Sequence, residues 1–206
     1  MSDPVTIVDY GMGNIQSVRK TLSLAGVSSV VSSEPDVIIS AKRLILPGVG
    51  HFGKAMGNLR SRGLTEALDE AVLKKKIPIL GICLGMQLMA QYGSEGAEEG
   101  LGWFDGSVVR FEVQDELRYK VPHMGWNQAQ QAKPSALLNN IDQLSEFYFL
   151  HSFHYVTETS DEVLMNTSYS YNFVSAIEKE NMYGCQFHPE KSHECGLHLL
   201  KNFSAI

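Results

Sequence analysis

The segment Ile77-Pro78-Ile79-Leu80-Gly81-Ile82-Cys83-Leu84-Gly85-Met86-Gln87-Leu88 decides the fold. Its first half is a short apolar run suited to a buried strand. Leu84, Leu88 and Met89 then recur at helical spacing, so the chain must turn sharply between the two. Cys83 stands at that turn, with Gly81 and Gly85 two residues away on either side. This is the G-x-S-x-G nucleophile elbow with sulfur in place of oxygen. The glycines permit the tight bend and a close approach of neighbouring elements, while the nucleophile projects from the top of a sheet. A thiol so placed lies at a helix N-terminus, where free N–H groups and the helix dipole favour the thiolate. An isolated G-x-C-x-G suits a buried structural cysteine equally well, so the remainder of the chain has to decide.

Upstream, residues 5–8 read as a first buried strand, followed by the loop Asp9-Tyr10-Gly11-Met12-Gly13-Asn14. Ile15, Val18, Leu22 and Ala25 then follow at helical spacing up to Gly26, a natural helix stop. Gly11 and Gly13 after a strand invite a dinucleotide-binding reading, but Gln16 occupies the place of the third glycine and argues against it. Residues 27–31 form a second strand, and residues 42–46 lead into a third that ends at Pro47-Gly48-Val49-Gly50-His51-Phe52. Leu64, Ala67, Leu68, Ala71 and Val72 make a helical stripe before the strand at residues 77–82. Strand and helix in alternation predict a doubly wound α/β fold, its mostly parallel sheet covered by helices on both faces. Downstream, residues 95–106 are acidic and glycine-rich and read as loop. Short strands are predicted at 107–111, 126–129, 146–150, 163–167, 174–178 and 182–186, with one closing helix at 194–203. So many strands with so little helix imply an antiparallel extension of the parallel sheet.

The chain has 206 residues, enough for one sizeable core, so a single domain over residues 1–206 is expected. A net charge of −6, with acids and bases interspersed, gives no basic face for nucleic acid. No apolar run approaches the roughly 20 residues that span a bilayer. Met1-Ser2-Asp3-Pro4 lacks the basic and apolar regions of a secretory signal, and Cys83, Cys185 and Cys195 make an odd number of cysteines. Reduced thiols and a cytoplasmic setting follow as expectations.

A nucleophilic cysteine needs a base, and the base needs an orienting group. Gln186-Phe187-His188-Pro189-Glu190 offers both. Pro189 biases His188 towards an extended conformation, in which residues two apart share a face, so His188 and Glu190 can point the same way. A carboxylate holding the imidazole in one tautomer is the third member of a triad. The developing oxyanion also needs donors. One is the N–H of Leu84, the residue after the nucleophile. A second comes from Pro47-Gly48-Val49-Gly50, at the carboxyl end of a strand where open α/β sheets gather their sites. His193, Cys195 and His198 cluster in sequence but match no standard zinc spacing; no metal is expected there. Trp103 and Trp126 read by default as packing residues.

Together these residues resemble a class I (triad) glutamine amidotransferase, and within that class the glutaminase subunits of imidazole glycerol phosphate synthase. The resemblance runs through Asp9 to Asn14, Pro47 to Gly50, Gly81 to Gln87, Pro122-His123-Met124-Gly125-Trp126-Asn127, His151-Ser152-Phe153 and Gln186 to Ser192. The elbow and the His-Pro-Glu segment are shared across the class. The first segment, Pro-Gly-Val-Gly, and His-Met-Gly-Trp-Asn are what narrow it. The resemblance implies Cys83 as nucleophile, His188 as acid and base and Glu190 as its orienter. It implies Leu84, Gly48, Val49 and Gly50 around the oxyanion, and Gln87, Glu95, Ser152 and Phe153 as contacts to the amino-acid end of L-glutamine. Asn14, Trp126, Tyr148 and Lys191 would face the partner, a (β/α)₈-barrel cyclase subunit, in a heterodimer. No cofactor is implied. A free-standing cysteine hydrolase of γ-glutamyl amides or peptides is the alternative, and the intact cysteine, histidine and glutamate argue against a silent interaction module.

Overall fold

A computed structural model describes residues 3–206; Met1 and Ser2, with which the segment read for a secretory signal begins, lie outside the described residues. The first half of the chain alternates β1 (Val5–Val8), α1 (Ile15–Leu24), β2 (Ser29–Ser32), α2 (Pro35–Ile39), β3 (Leu44–Gly48), α3 (Phe52–Ser61), α4 (Leu64–Asp69) and β4 (Ile79–Cys83). The second half holds α5 (Leu84–Gln87), β5 (Ala90–Gly93), β6 (Glu98–Glu99), β7 (Phe104–Arg110), β8 (His123–Gln131) and β9 (Leu144–His151). It ends with β10 (Phe153–Thr157), β11 (Val163–Ser168), β12 (Asn172–Lys179), β13 (Met182–Cys185) and α6 (His193–Phe203).

Strands β2, β1, β3, β4 and β13 lie side by side in that order, all parallel. The inner strands β1, β3, β4 and β13 are buried at every position because both faces are covered, whereas β2, at the edge, leaves Val30 and Val31 exposed. In β3, Leu44 and Leu46 enter one core and Ile45 the other; in β4, Leu80 and Ile82 enter the second. The first core is closed by Phe52, Met56 and Leu59 of α3 with Leu64 and Leu68 of α4. The second is closed by Val18 and Leu22 of α1 with Leu199, Leu200 and Phe203 of α6. Beyond β13 the sheet continues antiparallel through β12 to β10 and β7, and a branch runs from β12 through β11 and β8 to β9. The doubly wound parallel sheet with an antiparallel extension is therefore present as the sequence predicts. No helix among the described residues is long and apolar enough to cross a membrane.

Three local readings need correction. The stretch at 95–106, expected as loop, contains β6 and the start of β7, with β5 just before it. Its glycines serve close approach: a Cβ on Gly100 would lie 2.1 Å from the Ala90 carbonyl oxygen. The helix after the elbow is a single turn, although Leu88 and Met89 continue its spacing. Their carbonyls instead accept from Leu101 N–H and from Trp103 and Phe104 N–H, which draws the chain into β5. Finally, three elements went unread, α2, β10 and α3, although Phe52, Ala55, Met56 and Leu59 of α3 form one buried helical stripe.

Candidate active site

The elbow is a packing solution. Cys83 ends β4 at φ 54° and ψ −109°, a left-handed backbone that only an over-determined surrounding tolerates in a non-glycine residue. The surrounding is tight on every side. A Cβ on Gly85 would sit 1.8 Å from the Leu46 carbonyl oxygen, one on Gly81 2.7 Å from the Gly85 carbonyl, and one on Gly48 2.7 Å from the Gly85 nitrogen. Strands β3 and β4 and helix α5 thus meet where only hydrogen fits. Gly48 pairs with Cys83 across the β3–β4 ladder, so the next residues, Val49 and Gly50, rise beside the sulfur. Met12 and Gly13 lie against this segment: a Cβ on Gly50 would be 2.9 Å from Met12 Cε, and one on Gly13 3.1 Å from the Pro47 carbonyl oxygen.

His188 and Glu190 reach one another by a different route from the one the sequence suggests. Pro189 keeps His188 extended, at φ −100° and ψ 95°, but Pro189–Lys191 is one turn of 3-10 helix, and that turn brings the carboxylate back to the ring. His188 Nδ1 lies 2.9 Å from Glu190 Oε1, and both side chains are buried. Glu190 Oε2 has no hydrogen-bond partner among the described residues, so the charge of this carboxylate is answered chiefly by the ring. Burial disfavours the His188 imidazolium, but Cys83 and Glu190 together outweigh it and hold its pKa up, at about 10. The backbone of the base is fixed as well: His188 N–H donates to the Tyr148 carbonyl at 2.8 Å.

In front of Cys83 lies a cavity of about 290 Å³. It is lined by Val49, Gly50, Leu84, Gln87, Glu95, Ser152, Phe153 and His188, with Pro122, Leu150, His151 and Lys191 completing its wall. All four expected substrate contacts are therefore on one cavity with Cys83. Gly48 stands behind it, at the end of β3. Leu84 opens α5, where a helical N–H has no intrahelical acceptor and is free to donate. Gln87 is oriented by its surroundings. Its Nε2 donates to the Phe153 carbonyl and to Gln186 Oε1, each at 2.9 Å, which leaves its oxygen as an acceptor. Glu95 accepts from Phe52 N–H at 2.8 Å through Oε2, at the first turn of α3. A carboxylate and an amide oxygen side by side suit an α-ammonium group.

Of the residues expected at a partner surface, three sit together beside the cavity. Trp126 is 44% exposed, stacks on His193 at 4.8 Å, and meets Tyr148 edge-on at 6.1 Å. Lys191 Nζ lies 5.4 Å from the Tyr148 ring. Asn14 is the residue that precedes α1. Trp103, by contrast, is a packing residue whose Nε1 donates to Asp69. Two participants went unassigned in the sequence: Gln186, whose amide lies 3.6 Å from the Cys83 sulfur, and His151, which donates to the Phe153 carbonyl. The available signal was a lone amide, Gln186, two residues before His188 at the end of a predicted strand.

Residues 6–205 match the glutamine amidotransferase class-I family, and the chain belongs to that family. Solved structures agree on the fold. The chain superposes on the structure of PurLQS from Thermotoga maritima with a TM-score of 0.76 at 17% identity, covering 98% of each chain. A further glutamine amidotransferase superposes with a TM-score of 0.75 at 16% identity, over 98% of this chain and 99% of that one. Closer relatives narrow the family. The chain is 42% identical to imidazole glycerol phosphate synthase subunit HisH 2 of Methanococcus maripaludis, over 97% of this chain and 98% of the relative. It is 46% identical to imidazole glycerol phosphate synthase subunit HisH of a Geobacillus species, over 98% and 96%. Within the class, the chain's family is that of the HisH subunits of imidazole glycerol phosphate synthase.

Proposed function

We propose that this chain, acting as one amidotransferase domain in the cytoplasm, hydrolyses L-glutamine to glutamate and ammonia and passes the ammonia to a cyclase subunit. That partner, a (β/α)₈ barrel in a heterodimer, then makes imidazole glycerol phosphate and aminoimidazole carboxamide ribotide for histidine biosynthesis. The observation that carries the reading is the convergence, on one cavity, of Cys83, the buried His188–Glu190 pair and the acceptors Gln87 and Glu95. In this reading Glu95 and the Gln87 oxygen hold the α-ammonium of glutamine, which sets its side-chain amide against the sulfur. The Cys83 thiolate attacks the amide carbon, and the N–H of Leu84 with one from the Gly48–Val49–Gly50 segment receives the oxyanion. His188, kept protonated by Cys83 and Glu190, gives its proton to the departing ammonia. The neutral ring then takes a proton from water, which cleaves the γ-glutamyl thioester and releases glutamate with the thiolate restored.

A glutaminase that runs without an acceptor wastes its substrate, so turnover is expected to depend on the partner. The peptide between Gly48 and Val49 presents either its N–H or its C=O to the site, and only the first supports the oxyanion. Loss of one such donor is worth roughly 10²–10³ in rate. Docking near Asn14 and Trp126 acts through the contact of Met12 and Gly13 with this loop. The test is glutaminase turnover by the chain alone, with the cyclase, and with the cyclase plus its nucleotide ligand. A stepwise rise is expected. Equal rates in all three would refute partner control and favour a free-standing γ-glutamyl hydrolase.

A further inference from the structure

Gln186 is fully buried, and nothing in the mechanism above employs it. A primary amide removed from water needs partners for both of its ends. Its oxygen accepts from Gln87 Nε2 at 2.9 Å, and its nitrogen lies 3.6 Å from the Cys83 sulfur. These two ends are not interchangeable. Gln87 Nε2 also donates to the Phe153 carbonyl, a group that can only accept, so the Gln87 amide has one possible orientation. The nitrogen it turns towards Gln186 requires an oxygen there, and the Gln186 nitrogen is left facing the sulfur. The Phe153 carbonyl is itself held by His151 Nδ1 at 2.8 Å.

We propose that Gln186 is a positioning residue for the nucleophile: its N–H donates to the Cys83 sulfur, favours the ionised form and aims it into the cavity, with Gln87 and the Phe153 carbonyl fixing its orientation. Besides His188 and Gln186, the sulfur has the Leu150 carbonyl as a polar neighbour, at 3.9 Å. That carbonyl can only accept, so it serves the neutral thiol, whereas an amide N–H serves the thiolate. Gln186 is thus the side-chain amide that tips the balance towards the reactive state. The inference extends the reading of Cys83 as nucleophile and rests on it.

Alkylation by iodoacetamide tests the sulfur itself, without glutamine or a partner. It is followed from pH 5 to 10 by peptide mass mapping in a Cys195→Ser background, since Cys195 is half-buried and Cys185 fully buried. Gln186→Leu removes the donor. The pH midpoint of the Cys83 alkylation rate is expected to rise by about one unit, and the rate below the midpoint to fall about tenfold. Gln186→Met keeps the length of the side chain without any donor, so its shift should be of the same size; it carries the test if the leucine variant fails to fold. An unchanged midpoint in either folded variant would overturn the proposal. A parent chain whose Cys83 resists alkylation over the whole range would refute the nucleophile reading, and this inference with it.

Discussion

Acid should loosen this protein through two histidines that carry no proton in the proposed reaction. His123 and His151 face each other across the β8–β9 ladder, with Nδ1 of the first 3.1 Å from Nε2 of the second. Because His151 Nδ1 must donate to the Phe153 carbonyl, its Nε2 accepts from His123, whose own Nε2 accepts from Asn127. Both rings are therefore neutral in the native state. Burial holds the pKa of His151 at about 3 and that of His123 at about 4. These lie below the unfolded value of about 6.5, so the contribution is present above that pH and is lost as pH falls towards the folded values. At pH 5 an unfolded imidazole is almost wholly protonated and native His151 is not. The gap of about 1.5 pH units corresponds to about 2 kcal/mol from His151, with His123 adding in the same direction. For a chain of this length that lowers Tm by about 4–8 °C. His151→Gln is neutral at every pH and keeps a donor for the Phe153 carbonyl. Urea unfolding at pH 8 and pH 5 should show the variant less stable than the parent at pH 8, with the difference narrowed by about 2 kcal/mol at pH 5. Carboxylate titrations are common to both chains and cancel in the comparison. Parallel pH dependence in parent and variant would refute the reasoning.

An electrophilic glutamine analogue should modify Cys83 and spare Cys185, whose thiol burial pushes well up; a label on either other cysteine in peptide mapping would remove the triad. Cys83→Ala should abolish use of glutamine, while its complex with the cyclase still turns over on added ammonium salts. His188→Ala should lower glutaminase kcat by about 10²–10⁴, the worth of a general acid–base, and Glu190→Gln by less, because the ring keeps its neighbour; the reverse order would show the roles to be misassigned. Gly85→Ala should lower stability by several kcal/mol, of the order seen for severe overpacking, since its Cβ would overlap the Leu46 carbonyl oxygen; a Tm within 1–2 °C of the parent, about the effect of 0.5 kcal/mol, would show that the elbow has room to relax.

What could be read from the sequence was set by how local the signal is. Strands β1, β3 and β4 announce themselves because burial on both faces makes them almost wholly apolar, with Thr6 the polar exception in β1, and the elbow because its glycines and cysteine fall within five residues. The reason for those glycines was only half legible. The bend at Cys83 is local, but the contacts that forbid a side chain at Gly85 and Gly48 come from a neighbouring strand and helix. His188 and Glu190 were paired correctly by proximity, yet through the wrong backbone, because proline also opens a 3-10 turn. The short strands β5 and β6 were lost in a composition typical of loops.

The supports of the site lay furthest out of reach, because they are cross-strand facts. Gln186 and Cys83 are 103 residues apart and meet because β13 lies against β4 in a register that pairs Cys185 with Ile82. His123 and His151 meet because β8 and β9 pair in one register; a slip of one residue would turn either ring to the opposite face. The same register sets the base. β9 ends at His151, and three residues earlier the Tyr148 carbonyl accepts from His188 N–H, while Tyr148 N–H donates to Ser192 Oγ, which donates in turn to the His188 carbonyl. One strand therefore holds the backbone of the base, the histidine behind Gln87 and the ring beneath Lys191. The Tyr148 side chain that borders the exposed Trp126 and the carbonyl that holds His188 belong to one residue, so a displacement of that surface reaches His188 through one residue and one hydrogen bond.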